Sequence, residues 1–153
     1  MNEYMRIAKE LSEENLKTND GGPFGAVIVK EGKIIGKGSN KVLESNDPTA
    51  HAEIVAIRDA CSNIKSYDLS DCEIYTSCYP CPMCLSAIIW SNIKKVYYGN
   101  TPEDAEKIGF RDELIYDYIK DPDKKVLNLK CIDRKETIKV FKEFVEKNDK
   151  TIY

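Results

Sequence analysis

One histidine and one tryptophan occur among these 153 residues, and no apolar run is long enough to cross a bilayer as a helix. The opening Met1-Asn2-Glu3-Tyr4-Met5-Arg6 lacks the apolar core of a signal peptide. There is no internal repeat, low-complexity tract or linker-like stretch, so a single domain over 1–153 is expected. Nor does one sign of charge dominate: 23 Lys and Arg against 26 Asp and Glu leave −3. The basic lean from Lys120 to Lys150 is diluted by Asp121, Asp123, Asp133 and Glu136. The concentrated basic face of a nucleic-acid binder is therefore missing. These absences predict a cytoplasmic protein with no membrane and no nucleic-acid partner.

The chain does have six cysteines. In a reducing compartment they point to metal binding before disulfides. Cys61, Cys72 and Cys131 fall in ordinary helix or strand patterns and read as buried small hydrophobes. Of the other three, Cys81 and Cys84 belong to a split motif: His51-Ala52-Glu53, then Pro80-Cys81-Pro82-Met83-Cys84. One imidazole and two thiolates supply three zinc ligands and leave the fourth tetrahedral position open for water. Glu53 is the acid/base partner such a water needs, and His51 leaves no second imidazole to do that work. Cys78, evenly spaced from Cys81 and Cys84, is the rival fourth ligand; on the metal it would close the site and end the catalytic reading.

Periodicity places an amphipathic helix over 3–17, a hairpin over 24–38 and a loop over 40–48. A helix over 50–62 follows, capped by Asp47 or Thr49, with a short strand over 73–76 and a second helix over 80–91. On a regular helix His51 and Glu53 diverge by about 200°. Both reach one metal only if His51 lies at an irregular first turn. Cys81 and Cys84 share the first turn of the second helix, where the dipole favours thiolate. A strand over 95–98, helices over 102–107 and 113–119, a last strand over 126–132 and a helix over 134–147 complete the order. Ile138, Phe141, Phe144 and Val145 of that last helix should face inward. The expected fold is α/β, a three-layer α/β/α sandwich with a mixed five-stranded sheet.

The pattern H-x-E…P-C-x-x-C is the signature of zinc nucleobase and nucleoside deaminases, and the chain resembles the cytidine-deaminase-like superfamily. Gly21 to Val29, Ser45 to Glu53, Thr76-Ser77-Cys78, Gly109-Phe110-Arg111-Asp112 and the terminal Tyr153 resemble bacterial guanine deaminases over essentially the whole length. The resemblance implies one zinc per chain on His51, Cys81 and Cys84, with Glu53 shuttling protons while water replaces the amine at C2 of guanine. It implies that Asn40 reads the purine edge and that Asp112 accepts from the ring N–H and amino groups. Phe24 and Trp90 would line the base, and Ala52 would offer its backbone N–H. The tail 149–153 would be a lid closed by Tyr153, in a homodimer acting on a small nucleobase. One position departs. Tyr79 stands where these deaminases commonly carry Glu before Pro-Cys, which keeps cytosine and isocytosine as rival substrates. A tRNA adenosine deaminase and a non-catalytic zinc-stabilised binding module are the remaining alternatives; Glu53 argues against the last.

Overall fold

Gly25–Lys30 (β1) buries every residue but its last, as a strand covered on both faces must. In the computed structural model, which describes residues 1–153, β1 pairs antiparallel with β2 (Lys33–Ser39). Glu31 and Gly32 make the turn between them, both at positive φ as the strand twist favours. On its other side β1 pairs antiparallel with β3 (Cys72–Cys78), and β3 pairs parallel with β4 (Lys95–Asn100). The order β2-β1-β3-β4 makes the sheet mixed, as the sequence predicts.

Helices cover both faces. On one, α1 (Glu3–Glu14) lays Tyr4, Met5, Ile7 and Leu11 over Val27, Val29 and Tyr75. The one-turn α2 (Val42–Ser45) interrupts the expected loop. On the other face, α3 (Ala52–Ile64) and α4 (Pro82–Trp90) bring Ala52, Ala56, Ala60 and Ile88 against Ala26, Ile28 and Ile74. The three layers are those predicted. How closely α3 lies on the sheet depends on two glycines. A Cβ on Gly38 would stand 2.2 Å from the Ala52 carbonyl oxygen, and one on Gly36 would stand 2.5 Å from that of Ala56. Their bare backbones let α3 rest on β2.

The chain forms two compact units, Met1–Glu113 and Leu114–Tyr153. The sheet and the helices named so far lie in the first, as does α5 (Pro102–Lys107), whose start is closed by a reciprocal Thr101–Asp104 capping box. The second holds most of α6 (Glu113–Lys120) and all of α7 (Arg134–Glu146).

The sheet has four strands, not five, because residues 126–132 form no strand. Alternating apolar residues meet only half of a strand's requirement. The other half is an edge that accepts its N–H and C=O groups, and the second unit contains no strand to offer one. That unit also lacks a core: no residue of α7 is buried, and Phe141, Phe144 and Val145 are exposed where they were expected to face inward. Cys131 is likewise exposed. About forty residues are too few to enclose such side chains unaided. No helix in the chain is long and apolar enough to cross a membrane.

Candidate active site

The site is built where two helices begin. His51 is the N-cap of α3, with φ −66° and ψ 157°, and Cys81 is the N-cap of α4, with φ −64° and ψ 168°. Neither side chain caps its own helix, so both are left for another task. The extended backbone at His51 takes its imidazole off the helical path, which removes the divergence from Glu53. Asp47 and Thr49, expected as caps, instead organise the approach. The Asp47 carboxylate accepts from the Thr49 backbone N–H at 2.8 Å and from its hydroxyl at 2.6 Å. Pro82 opens α4, where its fixed φ fits and no N–H is needed.

His51 Nδ1 lies 3.5 Å from Cys81 Sγ and 3.6 Å from Cys84 Sγ. The three ligand atoms all fall within 4.8 Å of one another. Zinc bonds of about 2.3 Å to sulfur and 2.0 Å to nitrogen, at a tetrahedral angle, give N···S edges of about 3.5 Å. The three side chains therefore fit zinc as they stand. Cys78 is not in the cluster: its thiol points to the Thr101 carbonyl oxygen at 3.7 Å, and burial pushes its pKa up to about 11.

The charges follow from the same geometry. Hydrogen bonding from Cys84, with burial opposing and His51 assisting, holds the Cys81 thiol down at about 4. The shared hydrogen bond and burial push Cys84 up, so without metal the pair keeps one proton. Cys81 in turn raises His51. Glu53 is 6% exposed, and burial raises its carboxyl above the ordinary range. Its Oε2 accepts from the Cys84 thiol at 3.4 Å, and the buried Thr76 hydroxyl faces its Oε1 at 3.4 Å. Asp112 is also raised, by burial and then by the nearby Cys81.

A cavity opens on this cluster. Phe24, Asn40, His51, Glu53, Cys81 and Asp112, all singled out in the sequence, line it together. Ala52 is buried beside them as the first residue of α3. Trp90 is not brought there: it ends α4, about 13 Å along the axis from Cys81, and is 67% exposed. Tyr153 is exposed at the end of the second unit. Sequence reasoning passed over Phe110, which meets Phe24 edge-on with ring centroids 4.8 Å apart. Its place two residues before Asp112 was the available signal. Tyr79 lines the cavity too, its ring edge-on to Tyr98 at 5.0 Å.

Residues 1–100 match the family model of the cytidine and deoxycytidylate deaminase zinc-binding region. The chain belongs to this deaminase family. Within it, the chain is 52% identical over 119 residues to the guanine deaminase of Bacillus subtilis (strain 168), covering 78% of this chain and 76% of that one. A crystal structure of guanine deaminase from Bacillus subtilis superposes with a TM-score of 0.94 at 44% identity, over 100% of this chain and 99% of the other. The chain is also 41% identical over 144 residues to the tRNA-specific adenosine deaminase of Buchnera aphidicola subsp. Schizaphis graminum (strain Sg), covering 92% and 91%. Zinc is the metal of the matched region, in agreement with the donor set.

Proposed function

We propose that this deaminase hydrolyses guanine to xanthine and ammonia. The observation that carries the reading is the three-ligand cluster with the buried Glu53 carboxyl beside it, opening on a cavity that also holds Asn40 and Asp112. The guanine deaminase that is 52% identical over 78% of the chain, and the one that superposes over the whole fold, support guanine as the base.

His51, Cys81 and Cys84 would hold the zinc, one per chain. When bound, zinc supplies Lewis acidity that makes water nucleophilic near neutral pH. Glu53 takes a proton from the attacking water and gives it to the ring nitrogen, then carries the remaining hydroxyl proton to the departing amine. A C–O bond forms at C2, the C–N bond breaks, and the products are xanthine and ammonia. Burial favours the protonated form of Glu53, which suits a carboxyl that must donate as well as accept. The Asp112 carboxylate accepts from guanine's ring N–H and amino group, and the Asn40 amide reads the purine edge. Phe24 and Phe110 wall the base, and Ala52 offers its backbone N–H.

The 153 residues act as one deaminase domain, with 149–153 as a lid ended by Tyr153. The likeness of this tail to those of guanine deaminases supports the lid; deleting 149–153 should raise KM or lower kcat, and unchanged kinetics would remove it. The protein works as a homodimer in the cytoplasm. The exposed Val140, Phe141, Phe144 and Val145 of α7 support a second copy as what covers them. Light scattering at twice the chain mass is the expected result.

The deciding experiment measures ammonia release from zinc-loaded protein given guanine, guanosine, cytosine, isocytosine, adenine or a tRNA anticodon stem-loop. Turnover of guanine above the others is expected, and Glu53→Gln should lower kcat by about 10²–10⁴-fold while keeping zinc. Inosine formation in the stem-loop without guanine turnover would assign the chain to RNA. Full activity in Glu53→Gln would overturn the mechanism.

A further inference from the structure

We propose that Asn15 is a positioning residue of the substrate site. It clamps the chain around Asn40 so that the Asn40 amide presents its Nδ2 donor to the cavity. The site then selects a nucleobase with a hydrogen-bond acceptor facing that amide. The proposal rests on the reading of Asn40 as a substrate contact.

Asn15 follows the last residue of α1 and is buried. Its Nδ2 donates at 2.8 Å to the Gly22 carbonyl and at 2.8 Å to the Asn40 carbonyl, tying two loops that flank the site. Its Oδ1 is buried without a partner. An orphaned acceptor is destabilising, but turning the amide over would set its oxygen against two carbonyls and strand both donors. Asn15 therefore spends both N–H groups on the loops and leaves its oxygen unpaired.

Asn40 is constrained on each remaining side. Its backbone N–H donates to the Phe24 carbonyl at 3.1 Å, and its Oδ1 accepts from the Val42 N–H at 3.1 Å. A backbone N–H only donates, so the atom facing Val42 must be the oxygen, and Nδ2 must lie opposite. Gly21 closes the loop side: a Cβ there would stand 2.1 Å from Asn40 Oδ1 and 2.7 Å from its carbonyl oxygen. What stays open to Nδ2 is the cavity that Asn40 lines with His51 and Glu53.

The test is a double-mutant cycle in full-length, zinc-loaded protein, comparing Asn15→Leu, Asn40→Ala and the double variant with the parent. The proposal expects Asn15→Leu to raise KM for guanine about tenfold with kcat held within about twofold. It expects the double variant to be no worse than Asn40→Ala alone, because the clamp has nothing left to aim. Additive losses, or a lowered melting temperature with KM unchanged, would overturn it. If Asn15→Leu fails to fold, Asn15→Asp keeps the shape, loses the donors and enters the same cycle. A parent that releases no ammonia from guanine overturns the guanine reading alone. The cycle then runs on the nucleobase the parent does turn over, where additivity still counts against the clamp.

Discussion

His51 and Cys81 occupy the same position in two different helices. Each is an N-cap in extended conformation, and their Nδ1 and Sγ atoms stand 3.5 Å apart. Two positive helix ends thus converge on one cluster, which favours the anionic sulfurs that zinc requires.

Cys78 and Cys81 are three residues apart and both buried, but only Cys81 belongs to the ligand cluster, and the Cys78 thiol faces the Thr101 carbonyl instead. Cys81→Ser should cut zinc affinity by more than tenfold in competition with a chelator, an expectation grounded in the loss of one of three protein ligands. Cys78→Ser should bind one zinc per chain as the parent does. Loss of zinc in Cys78→Ser would place that thiol on the metal.

Gly38→Ala puts a methyl 2.2 Å from the Ala52 carbonyl oxygen, which the α3 backbone cannot yield without moving. A loss of about 1–3 kcal/mol is expected in chemical denaturation. Because α3 carries His51 and Glu53 at its start, zinc affinity should fall as well. Unchanged stability would mean that α3 does not rest on β2 as described.

Asp47 gives stability a pH dependence that can be worked out. The Thr49 hydroxyl and backbone N–H, with Arg58 beside them, hold its carboxyl below the ordinary range. A depressed folded pKa means that the contribution is present above the unfolded pKa of about 3.9 and is lost as pH falls through the folded value. Asp47→Ala should therefore melt below the parent at pH 6, and the gap should close as pH drops past about 4. A gap that persists there would show that the carboxylate's charge is not what orders the approach to His51.

Asp112→Asn keeps the size of the side chain and replaces one acceptor oxygen with a donor. On the guanine reading kcat/KM for guanine should fall about 10- to 100-fold, the range for one charged hydrogen bond left unmade. Zinc content should not change. Equal losses across every base in the ammonia panel would mean that Asp112 does not recognise guanine.

Much of the fold was legible because its signals are local. The two-residue Glu31-Gly32 turn, the apolar run of β1 and Pro82 at the start of α4 each act within a few residues. The strand over 126–132 was not legible. Its alternation is real, but a strand also needs an edge, and no edge is encoded in seven residues. The inward face assigned to Phe141 and Phe144 failed for a related reason: amphipathicity shows which face seeks cover, not what supplies it. In the site, spacing revealed His51, Cys81, Cys84 and Glu53, whereas Asn15 became visible only through long-range contacts.

By itself the sequence determined the donor set, the carboxyl beside it and the family, because metal-ligand chemistry depends on residue type and short spacing. The tertiary structure decided that the Cys78 thiol faces Thr101, that Trp90 lies at the far end of α4, and that the Asn40 Oδ1 is taken by the Val42 N–H. Those outcomes depend on direction. Direction is set by packing and by hydrogen bonds between residues far apart in the chain, such as the 2.8 Å bond from Asn15 to Asn40.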